Sequence, residues 1–303
     1  MKKIVMLLTI MIVGLIITVT ASTKTIVTDG LVSYWTFDQG TIRGGKVLDV
    51  WNENDATLVG DPKRVDDGYV KSGIELDGNG DYVSLPNVGN FGSQIGAYTF
   101  EVWFKTTQKK EWSAIYRVLE KSCAGSNQGT GILINAKTPQ DGRGGIITKE
   151  GWILFERSMN RENDCHTDLI SKEFTVSDGE WHQIVFATQS VTEEDKDRVR
   201  HFKGNLEDCI NLQLYIDVEQ RSDSILCISP QNFVAYGHPI FLGAMNSMGE
   251  ASRFFEGVFD EVRIYDRALT HEEVVRNYES GIGLGVEAVE KLPTVWGALK
   301  RSR

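Results

Sequence analysis

Apolar and polar positions alternate with period two along much of the chain from Leu31 to Tyr265, and short clusters of Gly, Asn and Asp interrupt the alternation. That pattern predicts strands joined by turns. Leu31 to Asp38 opens the series. Tyr98 to Lys105 places Phe100, Val102 and Phe104 on one face, and further strands are expected over Trp181 to Ala187, Leu212 to Glu219 and Ile240 to Gly243. Gly73 to Leu85 reads as two short strands around the tight turn Asp77-Gly78-Asn79-Gly80. Between Arg117 and Ile170 the pattern is looser, with strands predicted around Ile132 to Ile134 and Ile153 to Phe155. The highly charged stretch 191–208 reads as a solvated loop inserted between strands.

The most informative stretch runs from Phe254 to Tyr278. Strict alternation puts Val258, Asp260, Val262 and Ile264 on one face of a strand and Phe259, Glu261, Arg263 and Tyr265 on the other. Asp260 in line with aliphatic residues needs an explanation, because a buried carboxylate costs several kcal/mol (order of magnitude) unless donors or a cation compensate it. Two readings stand side by side: a hydrogen-bonded Asp at the strand's start, or a metal ligand. Next, Thr270-His271-Glu272-Glu273 fits a capping box, in which Thr270 and Glu273 satisfy each other's backbone amides and start a helix. Val274, Val275 and Tyr278 supply its apolar stripe, and Gly281 is placed to end it.

The strand Phe255-x-Gly257-x-Phe259-Asp260-Glu261-Val262-Arg263-Ile264-Tyr265, followed by Arg267-Ala268-Leu269-Thr270, resembles the C-terminal signature of laminin-G-like, concanavalin A-like jelly-roll domains. The resemblance extends through Tyr34-Trp35-Thr36-Phe37-Asp38, Leu76-Asp77-Gly78-Asn79-Gly80-Asp81-Tyr82-Val83, Asp178-Gly179-Glu180-Trp181-His182 and Leu214-Tyr215-Ile216-Asp217, in the family's order. Trp51 and Asn52 replace small residues of the family pattern, and Val218 stands where a glycine is usual. The resemblance implies an all-β fold: a two-sheet antiparallel jelly-roll β-sandwich with a short C-terminal helix, spanning residues 31–280. Residues 22–30 are expected to be a linker and 281–303 a tail ending in Lys300-Arg301-Ser302-Arg303.

Composition narrows the class. The chain has 303 residues, 41% of them hydrophobic, enough for one large β domain with a substantial core. Acidic residues outnumber basic ones 42 to 32 and the formal charge is −10, so nucleic acid is not expected as a partner. Met1-Lys2-Lys3, an apolar run from Ile4 to Val19 and the small residues near Ala21 read as an export signal over residues 1–21. Cleavage would leave no membrane span and a secreted, extracellular or cell-surface protein; retention of the run as an anchor is the alternative. Four cysteines suit an oxidising compartment and allow three pairings. Cys209 and Cys227 flank an expected hairpin, and Cys123 and Cys165 each follow a strand-like run, so 123–165 and 209–227 are the expected bridges, each contributing about 2–4 kcal/mol.

Catalytic signatures are sparse. Retaining glycosidases of this fold align carboxylates on one strand because nucleophile and acid/base lie about 5–5.5 Å apart. No acidic triplet at i, i+2 and i+4 falls on an expected strand here, and Asp217 with Glu219 is the nearest pair. His271-Glu272 lacks the second histidine of a zinc protease motif, since Val275 occupies that position. No Gly-x-Ser-x-Gly elbow occurs, and Gly281-x-Gly283 follows a helix, which rules out a nucleotide loop. The resemblance to jelly-roll glucanases implies a structural Ca2+ held by Asp260, by the backbone carbonyl near Asp38 and by the carbonyl of Gly73, hard oxygen donors of the type calcium takes. For a saccharide, Trp112, Trp152 and the polar loop containing Asn163 and His166 are candidate contacts, able to stack or hydrogen-bond. The expected function is a non-catalytic carbohydrate-binding or adhesion module that recognises glycans or glycoproteins. The alternatives are a glycosidase or lyase of the same fold and a protein–protein interaction module.

Overall fold

The computed structural model describes residues 25–88, 91, 96–121, 127–136, 150–158, 166–171, 174–199, 204–227 and 239–280; for 119–121, 127–129, 156–158 and 166–170 it describes the backbone alone. In chain order the strands are β1 (Leu31–Trp35), β2 (Ile42–Arg43), β3 (Lys46–Val47), β4 (Ala56–Val59), β5 (Lys63–Val65), β6 (Gly73–Asp77), β7 (Tyr82–Leu85), β8 (Tyr98–Lys105), β9 (Ser113–Lys121) and β10 (Asn127–Ile134). They continue as β11 (Ile153–Ser158), β12 (His166–Ile170), β13 (Trp181–Ser190), β14 (Cys209–Ile216), β15 (Glu219–Cys227), β16 (Ile240–Leu242), β17 (Met245–Ser247), β18 (Glu250–Ser252) and β19 (Glu256–Tyr265), before helix α1 (His271–Ser280).

An eight-stranded sheet, ordered β15-β14-β13-β8-β19-β6-β5 with β1 paired to β19, forms one layer of a sandwich. The facing layer is divided between a six-stranded sheet, β12-β11-β10-β9-β17-β18, and a five-stranded one, β16-β7-β4-β3-β2. All described pairings are antiparallel except that of β17 with β9. Alternation does what the sequence pattern requires: Phe100, Val102 and Phe104 of β8 point between the layers against Ile132 and Ile134 of β10, Phe155 of β11 and Leu242 of β16. Each such large apolar side chain contributes about 1.5–3 kcal/mol of transfer free energy on burial. The all-β jelly-roll expectation holds.

Strand β19 departs from strict alternation. Glu261 adopts a left-handed backbone, φ 53°, and the register with β8 shifts between Asp260 and Arg263. This is a β-bulge, which inserts one extra residue and reverses the facing of everything beyond it. Phe259, Val262 and Ile264 therefore face the main core, while Asp260, Glu261, Arg263 and Tyr265 lie toward the outer side. The expected grouping of Asp260 with Val262 and Ile264 is corrected: Asp260 does not point into the apolar core.

The outer face of the large sheet is covered by α1 and by the chain's first described residues. Thr270 and Glu273 form the expected capping box: the Thr270 hydroxyl accepts from the Glu273 N–H at 3.3 Å, and a Glu273 carboxylate oxygen accepts from the Thr270 N–H at 2.9 Å. Val274 packs with Tyr34, Val185, Tyr215 and Tyr265, and Ile26 and Val27 join the same cluster. Ordered packing thus begins within the segment expected as a linker. Beneath it lies a buried polar network: the Arg263 guanidinium reaches Glu101 at 2.7 Å, Glu261 and the Tyr34 hydroxyl at 3.1 Å. Asn277 donates to Glu101 at 2.6 Å and accepts from the Val27 N–H at 2.8 Å, so one side chain of α1 links the first described residues to the sheet.

The stretch 191–208 is more than a solvated loop. Glu193–Val199 and Leu206–Asp208 form 3-10 turns, and Val191, Val199 and Leu206 pack against Cys209 and Ile225. Cys209 and Cys227 are directly opposed on β14 and β15 and form a disulfide. Cys123, Cys165, Gly281 and the tail lie outside the described residues.

Candidate functional site

The six-stranded sheet ends where β9 starts, β10 stops and β11 starts, and three loops meet there. Trp112, immediately before β9, adopts φ 61° and donates its N–H to the Asn135 carbonyl at 3.3 Å, and the Asn135 N–H donates to the Trp152 carbonyl at 3.2 Å. Asn135 itself is left-handed, φ 57°, and its buried side-chain amide donates to the carbonyls of Gln108 at 3.0 Å and Lys110 at 3.3 Å, while its carbonyl oxygen accepts from the Gly151 N–H. One asparagine therefore sets the spacing of two tryptophans distant in sequence.

Both indoles are half-buried, and both pack on Ala114, Leu133, Ala136, Leu154 and Met245, the residues that alternate to the outer side of this sheet. The Arg253 guanidinium stands 5.3 Å from the centre of the Trp112 ring, and the Ala114 N–H to Arg253 carbonyl bond, 2.9 Å, holds its backbone. Lys109 and Glu150 pair at 2.9 Å across the same rim. The arrangement gathers two half-buried indoles, a cation over one of them and polar groups at one end of the sheet, residue types suited to stacking on C–H surfaces and to hydrogen-bonding hydroxyls. Sequence pattern marks Trp112 and Trp152 separately; it carries no signal for Asn135 or Arg253, whose parts depend on three loops meeting. Asn163 lies outside the described residues, and His166 is described only as the first residue of β12.

The expected metal position lies on the other layer. Asp260 is fully buried, and its two carboxylate oxygens accept from the Val70 N–H and the Glu261 N–H, both at 2.8 Å. Burial pushes its carboxyl well above the usual carboxylate range, with Glu261 and Asp38 adding to the rise and the two backbone donors opposing it. Among the described residues no cationic side chain pairs with it. The carbonyl of Asp38 already accepts from both the amide and the hydroxyl of Thr41, each at 2.9 Å. Gly73 opens β6 beside Asp260's strand: a Cβ there would come within 2.8 Å of the Phe259 carbonyl, so only glycine lets the two backbones approach this closely. A buried carboxylate held by two backbone amides and no cationic side chain among the described residues has the hard oxygen chemistry a divalent cation takes; of the expected donors Asp260 fits best, and the Asp38 carbonyl is already engaged by Thr41.

Asp217 and Glu219 do not converge as an acid/base pair. Asp217 sits in the β14–β15 turn, φ 48°, where one carboxylate oxygen accepts from the Gln183 N–H at 2.9 Å and the other meets His182 Nδ1 at 2.7 Å. Asp178 binds the other imidazole nitrogen at 3.0 Å. Glu219 pairs with Arg221 at 2.7 Å. Burial pulls the His182 imidazole down, but the two carboxylates outweigh it and hold its pKa above the ordinary value.

Comparison with known proteins bears on the fold. A family model described as the Concanavalin A-like lectin/glucanases superfamily matches residues 77–275. Among solved structures, domain 4 of the extracellular arabinanase AbnA from Geobacillus stearothermophilus, in complex with arabinotriose, aligns at TM-score 0.52 and 15% identity, covering 82% of this chain and 98% of that one. The binding domain of Paraclostridial Mosquitocidal Protein 1 aligns at 0.52 and 16% identity, over 82% and 52% of the two chains. The ligand-binding domain of botulinum neurotoxin serotype D, in complex with N-acetylneuraminic acid, aligns at 0.51 and 13% identity, over 83% and 51%. This chain therefore spans about half the length of those two toxin domains. No curated protein matches the sequence.

Proposed function

The chain belongs to the concanavalin A-like lectin/glucanases superfamily, and from that premise we propose that it is an exported, non-catalytic module that binds glycans or glycoproteins through Trp112 and Trp152. The observation that carries the reading is that the backbones of Trp112 and Trp152 both bond Asn135 and their half-buried indoles pack on one apolar cluster, with Arg253 over Trp112. The alignment with nearly all of an arabinanase domain solved in complex with arabinotriose supports a binding role. Engagement of Asp217 by His182 and Gln183, and of Glu219 by Arg221, supports a structural duty for the only acidic pair singled out on an expected strand. Export is supported by the leader-like N-terminus and by the Cys209–Cys227 bridge, which suits an oxidising compartment. Asp260, with oxygens near Asp38 and Gly73, is the proposed Ca2+ site; the cation would offset the buried charge and hold the loop at Val70 to β19.

Titration of the purified chain with arabinotriose and with a sialoside, with reducing ends assayed in parallel, tests the reading. Saturable binding of either sugar that falls at least tenfold in W112A and W152A, with no new reducing ends, is the expected result. Unchanged binding in both variants would remove the site assignment, and new reducing ends would establish an enzyme.

A further inference from the structure

Covered by α1 over Glu101 and Arg263, and by Tyr69 over Trp103, where the two rings stack with centroids 3.4 Å apart, the outer face of the large sheet opens again beyond Tyr69. There β6, β8, β19 and the turn at Gly179 enclose a groove of about 480 Å³, within the roughly 300–1,000 Å³ of small-ligand sites. Register places Glu256 opposite Asp77, and Val258 opposite both Glu75 and Lys105. With period two, Glu75, Asp77, Glu256 and Lys105 all project to this side. Gly257, which borders the groove, lets β19 and β8 approach closely, since a Cβ there would come within 2.4 Å of the Lys105 carbonyl.

The groove is chemically mixed. The Lys105 ammonium is held 2.8 Å from Asp67 and stands 5.2 Å over the ring of half-buried Trp181. Glu75 and Glu256 are exposed and make no ion pair among the described residues, and the exposed Asp77 accepts the Asn79 N–H at 2.7 Å and lies with Asp61 and Asp81 in a cluster whose carboxylate oxygens are within 4.8 Å of one another. Carboxylates accept paired donors and an ammonium donates, which matches the alternating hydroxyls of a sugar ring. Three carboxylates against one lysine, already paired with Asp67, disfavour a polyanion.

We infer that this groove is a second saccharide subsite, taking a short neutral oligosaccharide whose hydroxyls donate to Glu75, Asp77 and Glu256 and accept from Lys105. The inference rests on the glycan-binding reading above but on a different surface: Trp112 and Trp152 lie on the outer side of the opposite layer. A single chain with both sites holds two glycan segments apart across the sandwich, so multivalent glycans gain avidity that trisaccharides do not.

Amide chemical-shift mapping of the 15N-labelled full chain with xylotriose, cellotriose and maltotriose, and with trigalacturonate as the anionic counterpart, tests it. The expected result is movement of the Thr107, Gly179 and Gly257 amides with at least one neutral trisaccharide, retained in W112A/W152A. E75Q/E256Q, at exposed positions, should weaken that response by about tenfold or more, since the loss of either charged hydrogen bond alone is worth about tenfold, with the rest of the spectrum unchanged. Trigalacturonate should leave the three amides unmoved. Shifts confined to the Trp112 and Trp152 region would overturn the groove and leave the primary reading standing; trigalacturonate binding in the groove would overturn its selectivity; no shift anywhere would sink both.

Discussion

Replacing Arg263 by methionine tests the polar network beneath α1. Arg263, Glu101 and Glu261 are at most 2% exposed, and the guanidinium is the only cation that meets both carboxylates among the described residues. It also stacks 4.6 Å from the Tyr34 ring. At about 4 Å and an effective dielectric near 20, each ion pair is worth roughly 4 kcal/mol of Coulomb energy. Removing the shared cation leaves two buried carboxylates uncompensated, and breaking one buried pair typically destabilises by about 3–5 kcal/mol. Arg263→Met should therefore lower stability by about 4 kcal/mol or more, measured by urea unfolding followed by tryptophan fluorescence at pH 7. The triple variant R263M/E101Q/E261Q, which removes the stranded charges as well, should recover at least half of that loss. Burial already pushes the Glu261 carboxyl up, with Arg263 and Tyr34 opposing the rise. Without Arg263 it climbs further. A carboxyl raised in the folded state takes up protons on folding, so stability falls as pH rises, and the deficit of R263M should shrink between pH 7 and pH 5. A loss under about 1 kcal/mol, or a triple variant no more stable than R263M, would refute the argument.

Other expectations follow from the same contacts. His182 is held above its ordinary pKa by Asp217 and Asp178, so its contribution to stability is complete below about pH 6.5 and is lost as pH rises through the folded value; H182Q should flatten the urea midpoint between pH 5 and 8, and an NMR-titrated pKa below 6.5 would contradict this. If calcium sits at Asp260, 1 mM Ca2+ should raise the melting temperature of the EGTA-treated chain at pH 7, and Asp260→Asn should abolish the increment. Opening the Cys209–Cys227 bridge, which spans 18 residues, in C209S/C227S should cost about 3 kcal/mol, read by chemical denaturation; a cost near zero would mean that the packing of Val191 and Val199 alone secures the hairpin.

Local patterns were legible where a single element decides them. The capping box at Thr270 and Glu273, the inward facing of Phe100, Val102 and Phe104, and the Cys209–Cys227 pairing across a hairpin each depend on near neighbours in sequence or on one strand pair. What escaped depends on several elements at once. The bulge at Glu261 re-aims Asp260, and nothing in the alternation of VFDEVRIY signals it. Ile26 and Val27 look like linker residues until α1 and Tyr265 supply a surface to cover. The candidate sugar site was half visible: Trp112 and Trp152 are conspicuous as large aromatics in loops, but Asn135, which joins them, and Arg253, which flanks them, are ordinary residues until β9, β10, β11 and β18 end together. The acidic pair Asp217 and Glu219 shows the reverse, since a spacing that resembles chemistry is occupied by a turn clamped to His182.

Glycan recognition through the paired tryptophans is the central claim. A glycan array probed with the wild-type chain and with W112A/W152A, in calcium and again in EGTA, tests it most directly. Reproducible binding by the wild type to a defined set of glycans, with the strongest signals reduced at least tenfold in the double variant, is the predicted result. An array on which wild type and variant give the same profile, or on which the wild type binds nothing, would contradict it.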